Sequence, residues 1–139
     1  MNDRAPPVVL VVDDEEPIRR AARRILELDG YRVLEAENGA RAVEMLRGDI
    51  VVDLLLADLD MPELTGEEMA RQLRATRPDL KVLYVSGYIE RLLRERPVLW
   101  EDEAFLEKPF TAEGLAEAVS LLLFGTLKRP QKWRAPSPR

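Results

Sequence analysis

Residues 8–16 read Val-Val-Leu-Val-Val-Asp-Asp-Glu-Glu, five apolar residues followed at once by four carboxylates. Four of the five apolar residues are valine. A continuous β-branched run without polar alternation predicts a strand buried on both faces. Such strands belong to parallel sheets covered by helices on each side. The next residues agree. Pro17 suits a first helical turn, and Ile18, Ala21, Ala22, Ile25 and Leu26 recur at helical spacing before Asp29-Gly30 ends the helix.

Outward from that stretch the same unit recurs. Tyr31–Glu35 is a second strand, short and partly polar as an edge strand is. Asn38 caps a helix with Ala42, Val43 and Leu46 inward. Val51–Ala57 is a third apolar run, closed by Asp58. Thr65 and Glu68 form a capping-box pattern ahead of Met69 and Leu73. Val82–Val85 is a fourth strand and Ala104–Leu106 a short fifth. Thr111 caps a last helix with Leu115, Ala118, Val119 and Leu122 inward. The pattern is a strand–helix unit repeated five times, a doubly wound α/β fold. Ile89–Glu103 is the weakest helix, with Pro97 inside it and Val98, Leu99 and Trp100 after. Leu99 and Trp100 are read as core or cover for that irregular region, with an exposed partner surface as the alternative.

The chain has 139 residues, 46% hydrophobic and 34% charged, a one-domain profile. Residues 1–125 form the domain. Residues 126–139 carry five cations, no acid and three prolines, and read as a flexible basic tail. The net charge of −5 therefore divides into about −10 on the body and +5 on the tail. An acidic body makes nucleic acid an unexpected partner. No apolar run approaches a membrane span, and the N-terminus has no secretory pattern, so the expected location is the cytoplasm. Cysteine and histidine are both absent. That excludes disulfides, thiol nucleophiles, zinc–thiolate sites and imidazole bases. A metal site must use oxygen ligands, which suits Mg²⁺, Mn²⁺ or Ca²⁺.

In a parallel sheet the functional crevice lies outside the carboxyl ends of the strands. Asp13 and Asp14, then Glu15 and Glu16, follow strand one. Asp58 and Asp60 follow strand three, Ser86 strand four, and Lys108-Pro109 strand five. Converging carboxylates without histidine form a hard-cation site, and a nearby ammonium offsets their mutual repulsion. An aspartate beside Mg²⁺ and a lysine can attack a phosphoryl group and become an aspartyl phosphate.

Val-Val-Asp13-Asp14-Glu15, strand-terminal Asp58 with Met61-Pro62 and Gly66, Ser86-Gly87 and Lys108-Pro109-Phe110 resemble a two-component response-regulator receiver domain. The resemblance covers about residues 8–124. Ser86-Gly87-Tyr88 with Phe105-Leu106-Glu107-Lys108-Pro109-Phe110 is most similar to receivers attached to hybrid histidine kinases. The resemblance implies a flavodoxin-like (βα)5 sandwich with a five-stranded parallel sheet in the order 2-1-3-4-5. It implies that Asp58 accepts a phosphoryl group from a phosphohistidine on a histidine kinase or histidine phosphotransfer protein. Mg²⁺, with Mn²⁺ as a substitute, falls to Asp14 and Asp58 directly, to Asp13 through water and to the backbone carbonyl of Asp60. Lys108 contacts the phosphoryl group, and the Lys108–Pro109 peptide is cis. Ser86 and Phe105 form the switch pair. Asp60 and Tyr88 influence the lifetime of the phosphorylated state, with the sign left open. The readout to a downstream protein, and a homodimer, are expected on the fourth helical region, fifth strand and last helix.

Two other readings fit parts of the pattern. Asp58-Leu59-Asp60 resembles the Asp-x-Asp signature of haloacid-dehalogenase-type phosphatases, with Asp60 as general acid. That motif normally follows a first strand, and it leaves Asp13-Asp14 without a role. A phosphorylation-independent pseudo-receiver is opposed by the intact acidic pair, Asp58 and Lys108. Arg19, Arg20, Arg23 and Arg24 are placed on the exposed side of the first helix, either as a solvated face or as a docking surface for an acidic helical partner. No DNA-binding or enzymatic output pattern follows residue 125, so output is expected through protein contacts or through a domain outside this sequence. The start at Met1-Asn2-Asp3 favours a stand-alone chain.

Overall fold

Each apolar run becomes a strand, and each periodic segment among the described residues becomes a helix. The computed structural model describes residues 5–88 and 102–125. In chain order these form β1 (Val8–Val12), α1 (Glu16–Leu28), β2 (Arg32–Ala36), α2 (Gly39–Met45), β3 (Leu54–Asp58), α3 (Gly66–Thr76), β4 (Lys81–Ser86), β5 (Glu103–Glu107) and α4 (Ala112–Phe124). The sheet is parallel throughout, in the order β2-β1-β3-β4-β5. The flavodoxin-like order expected above is the one observed, with β2 at an edge.

Side chains alternate along each strand, so the valine run of β1 feeds two cores. Leu10 and Val12 join Leu55, Ala57, Val82 and Tyr84 under Ala42, Leu46, Met69 and Leu73 of the α2–α3 side. Val9 and Val11 join Leu54, Leu56, Leu83 and Val85 under Ala22, Leu26, Leu115 and Val119 of α1 and α4. Each fully buried aliphatic side chain contributes about 1.5–3 kcal/mol. Two cores require the unbroken apolar strands that a one-sided sheet does not.

The predicted caps form. Asn38 Oδ1 accepts from the Arg41 amide, and Thr111 Oγ1 accepts from the Gly114 amide. The Thr65–Glu68 box is reciprocal, each side chain bonding the other's amide. α1 has no side-chain cap and starts instead with a proline in its first turn. α4 ends at Gly125, whose left-handed backbone suits glycine.

Four details depart from the sequence reading. The third strand begins at Leu54, not Val51. Val51 is 67% exposed, and the Asp53 carboxylate takes the Val8 amide at 2.8 Å as the strand begins. Ala21 is exposed, at the margin of the apolar stripe of α1. Arg19 is half-buried rather than part of a solvated face. Glu103, placed in the irregular helical region, belongs to β5 and is buried. The readings of Pro97, Leu99, Trp100 and the 126–139 tail lie outside the described residues. Among the described residues, no helix is long and apolar enough to cross a membrane.

Candidate functional site

The carboxyl ends of five parallel strands share one edge of the sheet. In this order β1 and β3 are neighbours, while their following helices leave on opposite faces, which opens the crevice between them. Asp13 lies just past β1, Asp58 ends β3, Ser86 ends β4 and Lys108 follows β5. Topology alone therefore gathers residues 95 positions apart in sequence, Asp13 to Lys108.

Lys108 is the hub. Its Nζ lies 3.1 Å from Asp13 Oδ2, 3.4 Å from Asp58 Oδ2 and 3.6 Å from Glu15 Oε2. The Lys108 amide donates to the Ser86 carbonyl at 2.9 Å, which ties the lysine to β4, and the Lys108–Pro109 peptide is cis. Asp13 and Asp58 are buried, whereas Asp14 is exposed. Asp13 Oδ1 accepts the Glu15 amide at 2.8 Å, and Asp58 Oδ1 accepts the Asp60 amide at 3.0 Å. Each buried acid thus has one oxygen held by backbone and one facing the lysine.

The electrostatics follow from this placement. Burial pushes the Asp58 carboxyl up to about 6, and Asp13 adds to the rise, while the Asp60 amide and Lys108 oppose it. Burial works against the charge on Lys108, but Asp13 and Asp58 outweigh it and hold its pKa above the ordinary value. Carboxylate oxygens of Asp13, Asp14 and Asp58 lie within 4.8 Å of one another. Three carboxylates against one ammonium leave a deficit of two positive charges, and all three donors are hard oxygens. The exposed Asp14 leaves room for water ligands. This donor set fits a divalent cation of the Mg²⁺ class.

In chelator-treated protein, folding favours protonated Asp58, because its folded-state pKa of about 6 exceeds the ordinary 3.8. That contribution is present at low pH and is lost as pH rises from about 4 through about 6. Asp58→Asn removes it. The stability of the variant relative to wild type is expected to rise by on the order of 2 kcal/mol between pH 4 and pH 7.5 in urea melts. A difference that stays flat across this range contradicts the assignment.

Gly66 secures Asp58 from behind. A Cβ at Gly66 would sit 2.6 Å from the Asp58 carbonyl oxygen and 3.3 Å from the Leu59 Cα. Both are backbone and cannot swing aside. Gly66→Ala is expected to cost about 1–3 kcal/mol through overpacking, and to displace the Asp58 carboxylate as well. Thermal melts with and without Mg²⁺ check it.

Ser86 sits at the same edge, but its hydroxyl is engaged with Asp60 Oδ2 at 3.0 Å and with the Tyr88 amide at 3.0 Å. The Asp60 side chain reaches the Ser86 loop. Phe105 is half-buried and stacks on Tyr84 at 5.3 Å between centroids, on the α2–α3 face of the sheet. Tyr88 is exposed. Asp13, Asp14, Asp58, Asp60, Ser86, Tyr88 and Lys108 lie at or beside this edge, while Phe105 sits in the middle of β5.

Arg19 has a role that the sequence reading missed. Its Nη1 donates to the Asp13 carbonyl at 2.9 Å, and its Nε pairs with Glu35 at 3.0 Å. Arg23 pairs with the same Glu35 at 2.7 Å. Although burial pushes Glu35 up, Arg23 and Arg19 together hold it below the ordinary carboxylate range. Arg19 therefore braces the acidic loop against β2, and two of the four arginines of α1 are paired with Glu35. The one sequence signal was a lone acid in the apolar half of β2. Asp58-Leu59-Asp60 ends the third strand, and Asp13 shares its lysine, an arrangement that disfavours the dehalogenase-type reading.

A family model described as the response regulator receiver domain matches residues 9–120. Over 118 residues the chain is 38% identical to the sensor kinase CckA of Brucella abortus, covering 83% of this chain and 12% of that one. It is 34% identical over 115 residues to the response regulator receiver protein CpdR of the same organism, covering 83% of this chain and 95% of CpdR. The chain thus spans a small part of the first relative and nearly all of the second. The structure of the response regulator TrrA from Thermotoga maritima, solved with Mg²⁺–BeF, superposes with a TM-score of 0.72 at 32% identity, covering 84% and 99% of the two chains. With the match running from the second residue of β1 into α4, the chain belongs to the response regulator receiver domain family, a signalling module of two-component systems.

Proposed function

We propose that Asp58 is the phosphoacceptor of this receiver. A carboxylate oxygen of Asp58 attacks the phosphorus of a phosphohistidine on a histidine kinase or histidine phosphotransfer protein. The O–P bond forms, the P–N bond breaks, and the partner's imidazole departs with a proton from solvent. Asp13, Asp14, Asp58 and the Asp60 carbonyl would hold Mg²⁺, or Mn²⁺ in its place, and the bound ion supplies positive charge to the phosphoryl oxygens. Lys108 exchanges its contacts with Asp13 and Asp58 for a contact with the transferred group. Ser86 and Phe105 form the switch, Ser86 donating to a phosphoryl oxygen and the ring of Phe105 turning inward. Asp60 and Tyr88 tune how long the aspartyl phosphate lasts. Hydrolysis of the acyl phosphate returns the chain to its resting form, so self-phosphorylation and dephosphorylation are its only chemistry.

On this reading residues 1–125 are the receiver and 126–139 a basic tail, and the protein acts in the cytoplasm. Its output passes to a downstream protein, or to a second copy, through the face carrying β5, α4 and the segment before β5. The carrying observation is the half-buried Lys108 ammonium between the buried acids Asp13 and Asp58, at 3.1 and 3.4 Å. Incubation with acetyl phosphate and Mg²⁺ is expected to add the mass of one phosphoryl group to the intact chain. Asp58→Ala or a chelator should each abolish the adduct. An adduct that survives both would contradict the reading.

A further inference from the structure

We propose that Asp60 is a positioning residue that restrains Ser86 away from the phosphoryl site until the acceptor is modified. This rests on the receiver reading above. The serine hydroxyl has one proton to donate. That proton goes to Asp60 Oδ2 at 3.0 Å, and the Gly87 amide donates to the same oxygen at 3.4 Å. The acceptor side of the hydroxyl takes the Tyr88 amide at 3.0 Å. Asp60 is anchored in turn, since its own amide donates to Asp58 Oδ1 at 3.0 Å. One residue therefore has its main chain on the acceptor carboxylate and its side chain on the switch hydroxyl.

The consequence is a competition for one proton. Ser86 can donate to a phosphoryl oxygen on Asp58 only by giving up Asp60. A hydroxyl bonded to a carboxylate is charge-assisted, so the resting arrangement is favoured over one with a neutral acceptor. Asp60 is exposed, so water replaces the lost bond at modest cost, and the restraint is correspondingly modest. It sets the balance between two arrangements of the Ser86–Tyr88 loop and does not block the site.

A double-mutant cycle tests this with beryllofluoride, a phosphoryl mimic, titrated at saturating Mg²⁺ and followed by calorimetry. Asp60→Ala is expected to tighten beryllofluoride binding about three- to tenfold, because Ser86 no longer has to be released. Asp60→Asn, which keeps a neutral acceptor, should fall between wild type and alanine. In a Ser86→Ala background the same Asp60→Ala change should shift affinity less than about twofold, because only the screened charge at position 60 remains to act. Equal effects in both backgrounds would overturn the proposal and show that Asp60 acts through charge or water alone. Unchanged or weaker binding by Asp60→Ala would also overturn it. Failure of wild type to bind beryllofluoride would instead remove the receiver reading, and the restraint with it, so the two failures are distinguishable.

Discussion

Arg74→Ala is expected to destabilise the fold by about 3–5 kcal/mol, the cost of removing one partner of a buried ion pair. The Glu103 side chain is only 3% exposed, and its Oε2 accepts from Arg74 Nη1 at 2.9 Å and from the Tyr84 hydroxyl at 3.1 Å. The arginine also closes the Leu80 carbonyl with two nitrogens and the Asp102 carbonyl with a third contact. Alanine removes every Arg74 contact together, while the Tyr84 hydroxyl stays on Glu103. In a domain of this size the melting temperature should fall by about 10–20 °C. The double variant Arg74→Met with Glu103→Leu should recover most of the loss, because replacing both charges by apolar groups removes the desolvation cost. A single-variant loss below about 1 kcal/mol would show that water reaches Glu103.

Lys108→Ala is expected to slow phosphorylation by a small donor about 10²–10³-fold, in line with removal of one preorganised charge from a transition state. The ammonium touches both buried acids, and on the proposed reaction it faces the negative charge that develops on the transferred group. Its loss also leaves Asp13 and Asp58 facing each other, so the chelator-treated variant should melt earlier than wild type and regain stability as Mg²⁺ is added. Lys108→Arg should not restore the rate, since a planar guanidinium cannot sit as a point charge between two carboxylates. Initial rates of intact-mass change at saturating Mg²⁺ provide the check. A variant within threefold of wild type would remove Lys108 from the chemistry.

The site was readable because its logic is local at each strand end and topological overall. Val8–Val12 states its strand in composition alone, and the acids that follow it mark the functional edge. Asn38, Thr65 and Thr111 announce their helices by the hydrogen bonds that they make. What escaped the reading depends on pairs far apart in sequence. Arg74 and Glu103 lie 29 residues apart, and neither has a neighbour that signals the other. Arg19 looks like one of four equivalent helix arginines until Glu35 is placed beside it by the β1–β2 pairing. The Asp60 side chain could face solvent, the acceptor or the switch serine on spacing alone. Only the backbone path after β3 turns it toward Ser86.

On the proposed function Asp58, alone among a cluster of acids, carries the phosphoryl group. Borohydride reduction of the phosphorylated chain, which converts an acyl phosphate to an alcohol, locates the changed residue by peptide sequencing. Homoserine is expected at position 58, with Asp13, Asp14 and Asp60 unchanged. Modification at any of those three with position 58 intact would contradict it.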